Sequence, residues 1–258
     1  MALLEVKNLT KSFGGLTAVS QVSFSVRQGS VFGLIGPNGA GKTTIFNQIT
    51  GIYPPSSGEI DLDHVSLLGL KPSDISQRGI ARTFQNLRLF NKLTVRENIL
   101  IACQHDSRYP LLAAVLRTGR FREEERRLSQ ETEDWLELIG LSQYADFKAG
   151  NLPYGHQRRL EIARAMALKP KLLLLDEPAA GMNPEESLAL MEFIRDIKAR
   201  FDLTILLIEH HMEIVMGICD HIVVLNFGKE IANGAPDAIQ NNRAVITAYL
   251  GEEAAEDE

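Results

Sequence analysis

The nine residues GPNGAGKTT, Gly36 to Thr44, follow the apolar run SVFGLI directly and lead into TIFNQITG. They satisfy the spacing G-x-x-x-x-G-K-[ST] in the context it needs, after a strand and at the start of a helix. Glycines at Gly36, Gly39 and Gly41, with Pro37, Asn38 and Ala40 between them, let backbone N–H groups turn inward around phosphate oxygens. The helix N-terminus adds partial positive charge. In such a loop Lys42 reaches the β and γ phosphates and Thr43 offers its hydroxyl oxygen to Mg²⁺; Thr44 closes the nucleotide-binding stretch. A chain carrying this loop has to supply a buried parallel strand before it and a helix behind it.

The complement of such a loop is an acid at the end of another buried strand, and LLLLDEP supplies Asp176 and Glu177. Successive strand residues point to opposite sides. The expected division is Asp176 on the metal side and Glu177 toward an attacking water as general base.

The rest of the chain fits an α/β core. VSQVSFSV places Val22, Phe24 and Val26 at period two, a half-buried strand. TIFNQITG is expected to be a helix closed by Gly51, and GEIDLDHVSLL reads as strand and hairpin. KLLLLDE and TILLIEH are short apolar runs of the kind found in buried parallel strands. Between them Asn183, Pro184 and Glu186 mark a helix start, as cap, first helical residue and capping-box acid. In the middle, FREEERRLSQETEDWLELIGL carries Phe121, Leu128 and Trp135 seven apart, with Glu123 and Arg127 spaced to pair, which predicts a surface helix with one buried stripe. The expected organisation is a core from 1–94 and 166–250, a helical insertion over roughly 95–165, and an acidic tail at 251–258.

Charge narrows the function. With 27 Lys plus Arg against 33 Asp plus Glu the net charge is −6, which argues against a sequence-independent nucleic-acid binder. Cys103 and Cys219 stand far apart with no CxxC, so neither a disulfide framework nor a zinc site is expected, and a reducing cytoplasm fits. MALLEVKNL does not read as a signal peptide, and no apolar run approaches the roughly 18 residues of a membrane span. Work at a membrane is therefore expected to go through a partner.

The stretch NLPYGHQRR admits three readings on its own: a basic patch, a solvated helix face, or an altered glycine motif. The wider pattern decides. GPNGAGKTT, FQNLRLF, NLPYGHQRRLEIARA, LLLLDEPAAGMNP and LLIEHHM occur in the order found in the ATP-binding subunits of ABC transporters, and residues from about 3 to 250 resemble that family. RGIARTFQNLRLF, DEPAAGMNP, the ending AYLGE and the long insertion from 103 to about 130 look like the longer of two ATPase subunits in branched-chain amino-acid importers.

The resemblance implies a P-loop NTPase core with an antiparallel β portion and an inserted helical subdomain, ATP and Mg²⁺ as ligands, and roles for single residues. Phe13 matches the aromatic that stacks on adenine, Gln85 the glutamine that touches Mg²⁺ and water, and His210 the switch histidine near the γ-phosphate. Asn183 stands where many relatives have aspartate. Glu209, His210 and His211 invite a metal reading, which alternation along a strand and the lack of an HExxH helix argue against. Leu152, Pro153, Tyr154, Gly155 and His156 occupy the family's L-S-G-G-Q positions, which would face the nucleotide of an opposing subunit. Pro153 lacks the usual hydroxyl, yet its fixed φ suits a first helical position. Arg158 and Arg159 then become a solvated or intersubunit helix face.

Implied partners are polytopic permease subunits, a second ATPase (related or identical), and indirectly a substrate-binding protein, on the cytoplasmic side of the cell membrane. Motors for other cargo, such as urea or lipopolysaccharide, share this look, and a soluble scaffold ATPase is the alternative from another class.

Overall fold

The computed structural model describes residues 1–106 and 118–250. The acidic tail and residues 107–117 of the insertion lie outside the described residues. The chain divides into two compact units, one formed by Met1–Arg82 with the segment from Lys171 onward, the other by Thr83–Pro170.

The first unit opens with β1 (Ala2–Phe13) and β2 (Leu16–Arg27), an antiparallel pair, then β3 (Val31–Ile35), every residue of which is buried. Val22, Phe24 and Val26 all face inward on β2, as period two predicts. Helix α1 (Lys42–Ile49) starts straight from the glycine loop and stops at Thr50 before Gly51, whose φ of 72° lets the chain turn away. β4 (Ser57–Leu62) and β5 (Val65–Ser66) form the expected hairpin, and α2 (Pro72–Gln77) leads to β6 (Ile80–Arg82).

The second unit contains α3 (Val95–Cys103), α4 (Gly119–Leu138) and α5 (Tyr154–Met166), with α3 packed against both others. Thr94 caps α3 in a capping box with Glu97, satisfying two orphan N–H groups reciprocally. On α4 Leu128 and Trp135 are buried along the predicted stripe. Arg127 pairs with Glu124 and Glu131, rather than with the expected Glu123, because both of those carboxylates lie within 2.8 Å of its fork.

The chain returns to the first unit with β7 (Leu172–Asp176), α6 (Pro184–Phe201), β8 (Thr204–Ile208), α7 (Met212–Ile218), β9 (His221–Asn226), β10 (Lys229–Gly234), α8 (Pro236–Gln240) and α9 (Arg243–Leu250). Asn183 and Glu186 form the capping box read from the sequence. One sheet has the order β2-β1-β4-β5; the other runs β10-β9-β3-β8-β7-β6, with β9, β3, β8, β7 and β6 parallel. The apolar core of this unit lies between the two sheets and around α1, drawing on Val22 and Ile60 from one sheet, Leu34 and Leu206 from the other, and Ile45 and Phe46 from the helix.

Candidate functional site

Parallel strands bring their C-terminal ends to one edge, and here three neighbours, β3, β8 and β7, end together. Leu34 is in register with Ile208, and Ile208 with Asp176. The loop 36–41, the pair Asp176–Glu177 and the segment Glu209–His211 therefore all leave the sheet at the same edge, where ligands of open α/β sheets bind.

The loop needs its glycines for different reasons. Gly36 has φ of 146°, and a Cβ there would sit 2.1 Å from the Leu225 carbonyl oxygen. Gly41 has φ of 104° and would put a Cβ 2.6 Å from the Ala18 carbonyl oxygen. Ala40 is buried between them, with its carbonyl accepting from the Gly228 N–H, while Asn38 and Gly39 are exposed. Lys42 is buried, and its ammonium donates to the carbonyls of Gly36 at 2.6 Å and Pro37 at 3.0 Å, so the side chain curls back inside the loop. Burial holds this ammonium below its ordinary pKa, and the charges of Glu177 and Asp176 oppose that. Thr43 is exposed in the first turn of α1 and Thr44 half-buried beside it.

Asp176, almost fully buried, meets Arg82 of β6 at 2.7 Å. The same guanidinium donates to Asn47 at 2.7 Å and Thr50 at 3.3 Å, both on or next to α1. Sequence reading passed over Arg82, because one arginine at the end of a short strand carries no pattern. Glu177 diverges from Asp176, but not by strand alternation. β7 ends at Asp176, and Glu177 takes φ of 47°, the left-handed region that a non-glycine residue rarely adopts and that often marks functional sites. Its N–H is held by the Ile208 carbonyl at 2.9 Å, and its carboxylate lies 3.9 Å from His210 Nδ1.

Strand alternation also fails for Glu209, His210 and His211. β8 stops at Ile208, and the two imidazoles lie on one side with centroids 4.1 Å apart. Ligand atoms of all three residues fall within 4.8 Å, the spacing of a small metal cluster. Glu209 is otherwise engaged: fully buried, it accepts from Ala179 N at 3.0 Å, His210 N at 3.2 Å and His211 Nδ1 at 3.3 Å. This carboxylate ties the segment after β7 to the segment after β8, a role with no signal in the sequence.

Phe13, at the end of β1, is 43% exposed and meets Tyr53 edge-on at 5.4 Å. It is not a core phenylalanine, and the Lys11 ammonium lies over its ring, 4.9 Å from the centroid.

Gln85 and the stretch 152–156 belong to the second unit. Pro153 is the N-cap of α5, one position earlier than its φ suggested, because its ψ of 149° is still extended; Tyr154 is the first helical residue. The first bond of the helix runs from Gln157 N to the Pro153 carbonyl, which leaves the N–H groups of Tyr154, Gly155 and His156 outside the ladder. Leu152 is buried, Pro153 exposed, and burial followed by the Arg159 charge lowers the His156 pKa. The expected solvated face does not extend to Arg158, which is completely buried, whereas Arg159 is half-buried. Arg158 can be buried because its fork finds four acceptors: the carbonyls of Phe84 and Gln85, the Tyr154 hydroxyl and Glu161. Burial pushes the Glu161 carboxyl up, against the pull of Arg158.

A parallel sheet whose strand ends carry a glycine loop, a lysine turned into it and a buried aspartate is the fold of a P-loop NTPase. A family model described as ABC transporter matches residues 19–180, and one described as branched-chain amino acid ATP-binding cassette transporter matches 229–255. BraF of Pseudomonas aeruginosa, a high-affinity branched-chain amino acid transport ATP-binding protein, is 48% identical over 97% of this chain and 98% of its own length. LivG of Escherichia coli K12, of the same description, shows the same identity and coverage. Among solved structures, the ADP conformation of an ATP-binding cassette of an ABC transporter gives a TM-score of 0.84 at 33% identity, covering 98% of this chain and 100% of that one. A nucleotide-free cassette gives 0.83 at 34%, with the same coverage. The chain belongs to the ABC transporter family, as one of its ATP-binding proteins of the branched-chain amino-acid type. Among the described residues no helix is long and apolar enough to cross a membrane.

Proposed function

We propose that this chain is the ATP-hydrolysing motor of an importer for branched-chain amino acids, seated on the cytoplasmic face of the membrane against polytopic permease subunits. The observation that carries the chemistry is the convergence of Lys42, Asp176, Glu177 and His210 at the adjacent ends of β3, β7 and β8. The name and extent of the relatives support the cargo.

Hydrolysis asks the protein for position and charge more than for covalent chemistry. The loop 36–41 presents backbone N–H groups to the phosphates, and Lys42, already turned inward, exchanges its two carbonyl contacts for phosphate oxygens. Phe13 stacks on the base. Asp176 and Thr43 would hold Mg²⁺ through hard oxygens of the kind it selects, and the role of Gln85 toward the same ion rests on the family resemblance alone. Mg²⁺ held there would supply positive charge against the transferring phosphate. Glu177 takes the proton of the attacking water, with His210 beside it to hold the geometry. The three N–H groups at the start of α5 face the nucleotide of a second ATPase subunit, where an anion at a helix N-terminus is favoured even without a serine hydroxyl. Closure and reopening of that pair would move the permeases.

The test is uptake in proteoliposomes holding the permeases, both ATPases and the binding protein. With internal ATP, wild type accumulates leucine. Glu177→Gln should bind ATP normally and lose turnover by about 10²–10⁴-fold, the usual effect of removing a general base. Full turnover in that variant refutes the role of Glu177, and uptake of other cargo with leucine ignored refutes the cargo. Lys42→Ala should weaken nucleotide binding itself.

A further inference from the structure

Arg158 is the largest fully buried side chain in the described residues, and nothing in the proposed chemistry uses it. Long charged side chains are almost never fully buried unless paired. Arg158 is paired, but with targets of a particular kind. One guanidinium nitrogen donates to the Phe84 carbonyl at 2.9 Å and to Glu161 at 2.8 Å. The other donates to the Gln85 carbonyl at 3.0 Å and to the Tyr154 hydroxyl at 2.9 Å. Glu161, itself buried, takes the Arg88 N–H at 3.2 Å with its second oxygen. The pair thus grips the backbone of residues 84–88 at three points from within one helix, and touches Tyr154 at that helix's first turn.

We infer that Arg158, with Glu161, is a positioning residue that fixes the Gln85 segment to the start of α5, so that the glutamine and the 152–156 turn move as one piece. Stability alone does not call for the pair. A buried ion pair replaced by apolar residues of similar volume is often neutral or stabilising, so its value lies in where it holds things. Residues 84–88 contain no helix or strand, so their backbone depends on contacts of this kind for a defined position. Arginine suits the task because its planar fork reaches two successive carbonyls at once, which a lysine ammonium cannot do. The inference rests on the reading in which Gln85 and residues 152–156 both face nucleotide. It adds that the two are mechanically one element, so a shift of the glutamine reaches the stretch presented to the opposing subunit.

The test uses the assembled transporter in proteoliposomes with three variants of this chain. Arg158→Met with Glu161→Leu removes both charges and leaves no buried ion unpaired, which protects the fold. Arg158→Lys keeps the charge and loses the fork. Gln85→Ala reports on the glutamine itself. The double variant should keep its melting temperature within a few degrees, and its affinity for trinitrophenyl-ATP within about threefold. Its kcat for transport-coupled hydrolysis should fall about tenfold at unchanged KM, the size expected of lost coupling. Arg158→Lys should fall part of the way. Normal coupled turnover in the double variant overturns the inference. So does a parallel loss of melting temperature, nucleotide affinity and kcat, which would mark the pair as structural. If Gln85→Ala turns over normally, the reading of Gln85 itself fails, a different result from failure of the clamp.

Discussion

Breaking the Arg82–Asp176 pair should cost more stability than any surface change in this chain, and the cost can be worked from contacts. The two side chains are 7% and 6% exposed and meet at 2.7 Å. Arg82→Met fills a similar volume but leaves a buried carboxylate without its counter-charge, and removing one partner of a buried pair costs about 3–5 kcal/mol. The bonds to Asn47 and Thr50 go as well, at roughly 0.5–1.5 kcal/mol each. For a chain of this size each kcal/mol lowers the melting temperature by about 2–4 °C, so the variant should melt roughly 8–30 °C below wild type. The assay is calorimetry or circular dichroism without nucleotide. Arg82→Met combined with Asp176→Asn supplies the control. With the charge gone, most of the penalty disappears, and the double variant should be more stable than Arg82→Met alone. A loss of less than about 1 kcal/mol in the single variant, or strictly additive losses in the double, would show that the pair is not what neutralises Asp176.

Three further outcomes follow from single features. Asn183→Ala removes the Asn183 Oδ1 that accepts the Glu186 N–H, one half of the capping box on α6, and should lower the urea midpoint by the equivalent of about 0.5–2 kcal/mol; an unchanged midpoint would mean the cap is not limiting. Gly36→Ala demands a Cβ 2.1 Å from the Leu225 carbonyl oxygen at φ of 146°, so soluble protein should bind ATP far more weakly than wild type, and parent-like affinity contradicts the loop geometry. Burial pushes the thiol of Cys103 up to about 11 and that of Cys219 up to about 12, from an ordinary 9.0. The folded chain therefore keeps protons that the unfolded chain releases, so this contribution to stability is full below about pH 9 and is lost as pH rises toward 11–12. Cys219→Ala should flatten that fall between pH 9 and 11, and an identical slope would count against the assignment.

The legible part of this molecule was the part built on period and on fixed spacing. The buried runs at 172–175 and 204–208, the capping box at Asn183 and the glycine loop were readable because each is a local pattern with a physical cause inside a few residues. Periodicity misleads where it is carried past the end of its element. Strand alternation does not reach Glu177, His210 or His211: β7 stops at Asp176 and β8 at Ile208, and beyond those points the turn sets direction. The boundary of the helical unit carries a similar lesson. Composition shifts near 95, while the second compact unit begins at Thr83, because residues 83–94 have no regular pattern to announce them.

Arg158 is the instructive miss. Helical spacing and composition both favour placing two adjacent arginines on a wet face, and for Arg159 the placement is half right. What buries Arg158 is a set of acceptors 73 and 74 residues away in sequence, the carbonyls of Gln85 and Phe84, which no residue identity encodes. Backbone carbonyls are present everywhere, so a side chain that seeks them leaves no covarying partner type and no motif. The one local hint was Glu161 at i+3, a carboxylate on the same helical face, which reads equally well as a surface pair. An arginine with an acid three residues on, just ahead of a largely apolar run such as LEIARAMAL, is better read as a candidate buried clamp than as a solvated ion pair. The neighbouring leucine, isoleucine and alanines leave that face too little polar surface to stay in water.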